Sequence, residues 1–153
     1  MSNNNFIPYG KHFLDQDDID SVVEVLKNGM LTQGPKIEEF ENLVAKQVNA
    51  KYAIAVSSGT AALHLACKVV DLSSGDQIIT SANTFVASAN AAEYLNASPF
   101  FCDIDNDTLN MSIIDLKEKI NQLDNCKIIM PVHFAGAPCE LGEIQKIAKK
   151  ENM

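Results

Sequence analysis

The sequence predicts an α/β protein in which a mostly parallel sheet is flanked by helices. From Tyr52 onward, short apolar runs alternate with helical patterns, as in the βαβ units that build parallel sheets. Of the 153 residues, 46% are hydrophobic, which is enough for a buried core. In residues 1–50, the sequence pattern predicts helices and no strands. We therefore expect an N-terminal helical segment at 1–50, followed by the first βα units of a larger α/β domain at 51–153.

Two amphipathic helices are predicted in the first 50 residues. Asp15 is placed to cap the first helix, and Gly29 lies just past its end. Gly34 precedes the second helix, and Pro35 suits its first position. In both helices apolar residues three or four positions apart form one face: Ile19, Val22, Val23 and Leu26, then Ile37, Phe40, Val44 and Val48.

Four strands and four helices are predicted in the rest of the chain. The strands are expected near 52–57, 77–81, 99–104 and 127–133, and the helices near 60–71, 85–95, 113–122 and 140–151. Ser112 and Asp115 resemble a capping box at the start of the third of these helices. Because ligands of open parallel sheets bind at the carboxyl ends of the strands, the residues that follow each strand are the candidates for a site.

The charge balance excludes some partners and limits how an anion could be bound. Twenty acidic residues against twelve basic ones give a net charge of −8, without a basic patch or helix, so nucleic acid and anionic membranes are not expected partners. All twelve basic residues are lysines. Without arginine, an anion site must use backbone N–H groups, hydroxyl groups or lysine.

The expected location is cytoplasmic. The N-terminus has no basic stretch followed by an apolar one, and no apolar run approaches the ~20 residues of a membrane span. The four cysteines are widely separated and include no C-x-x-C pair, which favours reduced, mostly buried thiols over a disulfide or zinc scaffold.

Small residues follow the first predicted strand, in the stretch VSSGTAALHL. Ser58, Gly59 and Thr60 begin a helix there, where free N–H groups and the positive end of the helix dipole could hold an anion. Gly59 would let a ligand approach the backbone closely. From this local pattern alone, a helix cap without a ligand is the simpler explanation of the same residues.

Two later corners carry further candidates. Phe85 follows Asn83 and Thr84 after the second strand, where an aromatic ring could stack on a planar ligand or pack in the core. His133 follows the fourth strand and could be catalytic or structural.

Asp103, Asp105 and Asp107 have the spacing of a calcium loop. Calcium is not expected, however, since threonine and isoleucine occupy the positions of the turn glycine and the bidentate glutamate.

Five segments in order resemble the DegT/DnrJ family of sugar aminotransferases, which use pyridoxal phosphate and have fold type I. They are IPYGKHFLDQDDIDSVVEVLK, LTQGPKIEEFE, AVSSGTAALHLAC, NTFVASANAA and PVHFAG. The resemblance implies a pyridoxal 5′-phosphate site with the phosphate at Ser58, Gly59, Thr60 and Ala61. It also implies stacking of Phe85 on the pyridine ring. It further places His133 at the cofactor and Thr32, Gln33 and Gly34 on the substrate side.

The resemblance also implies the partners of the enzyme and two catalytic residues that are not among these 153 residues. Members of this family are homodimers that transfer an amino group to nucleotide-linked keto-sugars. For this sequence, the expected donor is glutamate and the expected acceptor is a UDP-linked 4-keto-6-deoxy sugar. The lysine that forms the Schiff base and the aspartate that holds the pyridine nitrogen would lie beyond Met153. No catalytic residue is therefore assigned, and we expect the N-terminal portion of an aminotransferase, inactive alone. A non-catalytic module that retains a helix-start phosphate site is the alternative.

Overall fold

The computed structural model describes residues 10–153. The chain divides into two compact units, Met1–Ala55 and Val56–Met153. The helices are α1 (Gln16–Asn28), α2 (Pro35–Gln47), α3 (Gly59–Val69), α4 (Ala87–Glu93), α5 (Ile113–Ile120) and α6 (Leu141–Lys150). The strands are β1 (Gln77–Ser81), β2 (Ser98–Cys102) and β3 (Cys126–Met130), and a short 3-10 turn covers Phe134–Gly136.

The described part of the first unit contains the two helices α1 and α2. Asp15 caps α1 through a capping box, because its carboxylate accepts the N–H of Asp18 while the Asp18 carboxylate accepts the N–H of Asp15. Gly34 precedes Pro35 at the start of α2. The beginning of the IPYGK segment lies outside the described residues.

The second unit contains a parallel three-stranded sheet in the order β2-β1-β3, which confirms the α/β prediction. Ile78 and Ile79 are adjacent in the central strand and fully buried. Because successive side chains of a strand point to opposite faces, they belong to two cores. Ile78 packs with Cys67, Leu72 and Ala91, whereas Ile79 packs with Leu116, Ile144 and Ile147.

The strand predicted at 52–57 is wrong. A strand forms only where its backbone pairs with a neighbour, and none of the three strands pairs with this segment. The N–H of Ala55 instead donates to the Glu41 carboxylate at 2.7 Å. Tyr52 and Ile54 are 73% and 79% exposed, and the segment is not part of the sheet.

Two other differences from the prediction have local reasons. β3 ends at Met130 and does not continue to 133, because Pro131 has no N–H to donate to a ladder. At α5, Ser112 accepts the N–H of Asp115, but the Asp115 carboxylate accepts the N–H of Asp103 instead of completing the capping box.

Two further expectations concern the state of the cysteines and membrane-spanning helices. Cys67, Cys102 and Cys139 are buried and Cys126 is half-buried, and all four are free thiols. Burial is the main cause that raises the pKa of Cys102 to about 12. Among the described helices, none has the length and apolar character needed to cross a membrane.

Candidate functional site

The start of α3 presents two backbone N–H groups that have no acceptor among the residues that the structure describes. Ser58 is extended (φ −166°, ψ 163°), so that its hydroxyl oxygen accepts the N–H of Ala61 at 3.1 Å and its carbonyl oxygen accepts that of Ala62 at 3.0 Å. The N–H groups of Gly59 and Thr60 precede these and find no acceptor within residues 10–153. They are therefore available to an anion.

The electrostatics of this helix start favour an anion more than those of most other helices here. Asp or Glu residues occupy the first turns of α1, α2, α5 and α6, where they offset the positive end of the helix dipole. The first turn of α3 contains no acidic residue. A Cβ placed on Gly59 would meet no atom within 4 Å, so the space beside these N–H groups is open.

Three of the residues predicted from the sequence line one groove in the second unit. Gly59, Thr60 and Phe85 all line an open groove of about 640 Å³. Phe85 is 73% exposed, so its ring is not part of the core. It reaches this position because β1 ends at Ser81 and the chain turns there into α4, which packs beside α3.

The remaining groove residues were not predicted from the sequence. They are small or aliphatic side chains: Ala62, Leu63, Ala66 and Ala87. The helical spacing on α3 could have identified most of them, since residues 59, 62, 63 and 66 recur at i, i+3, i+4 and i+7 and share one helix face. Most of the side chains that line the groove are thus apolar, and the helix start that contributes to it carries hydrogen-bond donors.

His133 does not line this groove but lies in the corner that follows β3. Its Nδ1 accepts the backbone N–H of Cys139 at 3.0 Å. The thiol of Cys139 in turn donates to the carbonyl oxygen of Val132 at 3.0 Å. The imidazole is exposed, and its orientation is set by this small network.

The residues predicted to lie on the substrate side belong to the first unit, in the loop between α1 and α2. Gln33 has a left-handed backbone (φ 50°), which is uncommon outside glycine. A Cβ on Gly34 would come within 2.7 Å of the carbonyl oxygen of Met30, so this close turn requires glycine. The roles of Thr32, Gln33 and Gly34 toward a substrate stay predictions.

The aspartate-rich loop after β2 uses its oxygens internally. One carboxylate oxygen of Asp105 accepts the N–H groups of Asp107 and Thr108 and the Thr108 hydroxyl. These bonds, the one from the Thr108 backbone foremost, hold the pKa of Asp105 below its ordinary value. The loop is a capped turn, and no cluster of three or more metal-binding side chains occurs in the described chain.

The family model described as the DegT/DnrJ/EryC1/StrS aminotransferase family matches residues 12–153. Three similar curated proteins belong to nucleotide-sugar or polysaccharide biosynthesis by their names. The spore coat polysaccharide biosynthesis protein SpsC of Bacillus subtilis is 39% identical over 98% of this chain and 38% of its own length. GDP-perosamine synthase of Escherichia coli O157:H7 is 39% identical over 97% and 40%.

The third relative is the UDP-4-amino-4-deoxy-L-arabinose–oxoglutarate aminotransferase of Shewanella sediminis, which is 35% identical over 96% of this chain and 37% of its own length. This chain therefore spans about two fifths of the length of the curated relatives it matches.

A solved structure agrees with the fold. The sugar aminotransferase Spr1654 of Streptococcus pneumoniae, in its pyridoxal-phosphate form, has a TM-score of 0.86 at 30% identity over 95% of this chain and 36% of that chain. A pyridoxamine-phosphate form of the same protein matches equally well. The expected cofactor class is thus confirmed for the structural relatives.

Proposed function

Because the chain belongs to the DegT/DnrJ/EryC1/StrS aminotransferase family, we propose that it forms the phosphate- and ring-binding part of a pyridoxal-phosphate site in a sugar aminotransferase. The groove that joins the open start of α3 to Phe85 carries this proposal. The site must bind a dianionic phosphate beside a planar aromatic ring. The groove offers donors for the first and an exposed aromatic face for the second.

Each groove residue has a distinct part in this proposal. The N–H groups of Gly59 and Thr60 donate to the phosphate, as does the Thr60 hydroxyl, and the helix dipole adds to the attraction. The absence of a side chain at Gly59 lets the phosphate approach the backbone. Phe85 stacks on the ring and keeps water from one of its faces.

The cofactor, when bound, supplies an electron sink and carries the amino group from the donor to the acceptor carbonyl compound. None of the residues that line the groove is a lysine. We therefore expect this 153-residue chain to bind the cofactor without a covalent bond and to show no turnover by itself. The proposed groove residues bind and orient the cofactor.

The finer substrate assignment also belongs to this proposal. Names of the relatives refer to a UDP-linked 4-amino sugar, to oxoglutarate and to a GDP-linked sugar. Oxoglutarate is the product of glutamate when glutamate donates its amino group. We assign glutamate as donor and a UDP-linked 4-keto-6-deoxy amino sugar as acceptor, in a homodimeric enzyme. The segments IPYGK, NTFVASAN and PVHFAG most resemble the transaminase that makes UDP-4-amino-4,6-dideoxy-N-acetyl-β-L-altrosamine for pseudaminic acid.

A cofactor titration tests the groove directly. Binding of pyridoxal phosphate to the chain is followed by absorbance, with pyridoxal and inorganic phosphate as competitors. Preference for pyridoxal phosphate over both is expected, because the groove contacts phosphate and ring together. Equal affinity for inorganic phosphate would instead identify a plain anion site, which is the alternative of a non-catalytic module.

Gly59→Pro removes one proposed donor without breaking the helix. Proline is favoured at the first helical position, and Ser58 before it is already extended as proline requires. Loss of one hydrogen bond to a charged group should weaken pyridoxal-phosphate binding about tenfold or more. Gln16→Pro, at the first position of α1 after the extended Asp15, is the matched control and should leave binding unchanged.

A further inference from the structure

We propose that Asn110 is a positioning residue, which fixes the imidazole of His133 by holding the loop that follows β3. His133 does not line the groove, and its place at the cofactor is what the family resemblance implies, so this role rests on the proposed function. Asn110 lies 24 to 28 residues away from the loop residues that it contacts, and the residue is 5% exposed.

The amide of Asn110 makes three hydrogen bonds to the loop. Its Nδ2 donates to the carbonyl oxygens of Ala137 and Pro138, both at 3.2 Å, and its Oδ1 accepts the N–H of Phe134 at 3.0 Å. Two acceptors and one donor fit only one of the two amide orientations. Asn110 therefore fixes both ends of the loop with a single planar group.

The loop has a backbone that needs such support. Ala135 and Gly136 both have positive φ angles, 51° and 84°, and the left-handed region is unfavourable for alanine. Inside the loop, the N–H of Ala137 donates to Phe134 at 2.9 Å and that of Gly136 donates to His133 at a long 3.3 Å. The Asn110 bonds add three contacts to these two.

The loop position decides where the His133 ring lies. Pro138, whose carbonyl oxygen Asn110 holds, directly precedes Cys139, whose N–H donates to His133 Nδ1. Since Nδ1 is an acceptor, the neutral ring carries its hydrogen on Nε2. Asn110 thus acts through Cys139 to present an exposed Nε2–H donor at the carboxyl end of the sheet.

The ring nitrogens of His133 give a readout that stability alone would not change. In ¹⁵N NMR spectra of the chain without cofactor, the neutral His133 ring should show the Nε2–H tautomer, assigned by its loss in His133→Gln. A neutral ring protonated on Nδ1 in the wild-type chain would overturn the proposal. This measurement needs no folded variant at residue 110.

Asn110→Asp keeps the acceptor for Phe134 but removes both donors to Ala137 and Pro138. In this variant the tautomer signature should shift toward averaged values, and pyridoxal-phosphate affinity should fall by about three- to tenfold. Asn110→Ser is the second variant. Asn121→Ala is the matched control, because Asn121 is exposed and its side chain makes no hydrogen bond in the described chain.

The outcomes separate this inference from the proposed function. An unchanged Nε2–H signature in folded Asn110→Asp would overturn the positioning role even if the cofactor binds. Absence of cofactor binding in the wild-type chain, together with a signature that depends on Asn110, would instead overturn the proposed function and leave the positioning role standing.

Discussion

The hydroxyl oxygen of Ser58 accepts the backbone N–H of Ala61 at 3.1 Å. This bond satisfies one of the first N–H groups of α3, whereas those of Gly59 and Thr60, two residues that line the groove, have no acceptor within residues 10–153. The helix cap and the anion site, which compete as explanations of the sequence VSSGT, are therefore compatible: Ser58 serves the cap, and the next two residues are free for a ligand.

Ser58→Ala should lower the free energy of unfolding by about 1 kcal/mol, because an N-cap hydrogen bond is lost. Urea unfolding followed by circular dichroism measures the change. Ser57→Ala is the control, since the Ser57 side chain is exposed and makes no hydrogen bond within residues 10–153. Equal stability of Ser58→Ala and the wild-type chain would show that the cap contributes nothing to α3.

Phe85→Leu should weaken pyridoxal-phosphate binding by about two- to tenfold, because an aromatic pair is worth about 0.5–1.5 kcal/mol beyond its buried area. The exposed position of Phe85 means that the free energy of unfolding should change little. Fluorescence or absorbance titration gives the affinity.

Phe13→Leu provides the control for Phe85→Leu, because Phe13 is a still more exposed phenylalanine of the first unit. A loss of affinity in Phe85→Leu that Phe13→Leu reproduces would argue against stacking. Inorganic phosphate, which has no ring, should bind the wild-type chain and Phe85→Leu equally well.

The acid sensitivity of the fold should depend on Asp76. Its carboxylate lies 2.8 Å from Lys127 Nζ, and the side chain is 6% exposed. The hydrogen bond from Lys127 is the largest cause that lowers the pKa of Asp76, and bonds from Ser73 add to it. Because the folded pKa is below the unfolded one, this stabilisation is present above the unfolded pKa and is lost as the pH falls through the folded pKa.

Urea midpoints measured from neutral pH down to roughly pH 3 test this linkage, since the unfolded pKa of aspartate lies near 3.9. Asp76→Asn should be less stable than the wild-type chain at neutral pH and should lose less stability on acidification. Asp124→Asn, at an exposed residue whose side chain makes no hydrogen bond in the described chain, should keep the wild-type slope. Parallel slopes for Asp76→Asn and the wild-type chain would contradict the assignment.

Local chemistry was sufficient to predict much of the structure. The capping box at Asp15, the start of α2 at Pro35 and the alternation that builds β1, β2 and β3 each depend on neighbouring residues. The corner at Gly59 and Thr60 was also predicted locally, since a helix start exposes N–H groups whatever surrounds it.

The tertiary structure decided what depends on distant partners. Residues 52–57 have a strand-like sequence but pair with no described strand, and pairing is not encoded in the segment itself. The groove needs Phe85 near Gly59, and the packing of α3 against α4 brings the two residues together. Asn110 holds a loop more than twenty residues away, so no local pattern could reveal it. The sequence by itself determined the helix caps, the periodic faces and the strand-end corners, whereas packing determined which of those corners meet.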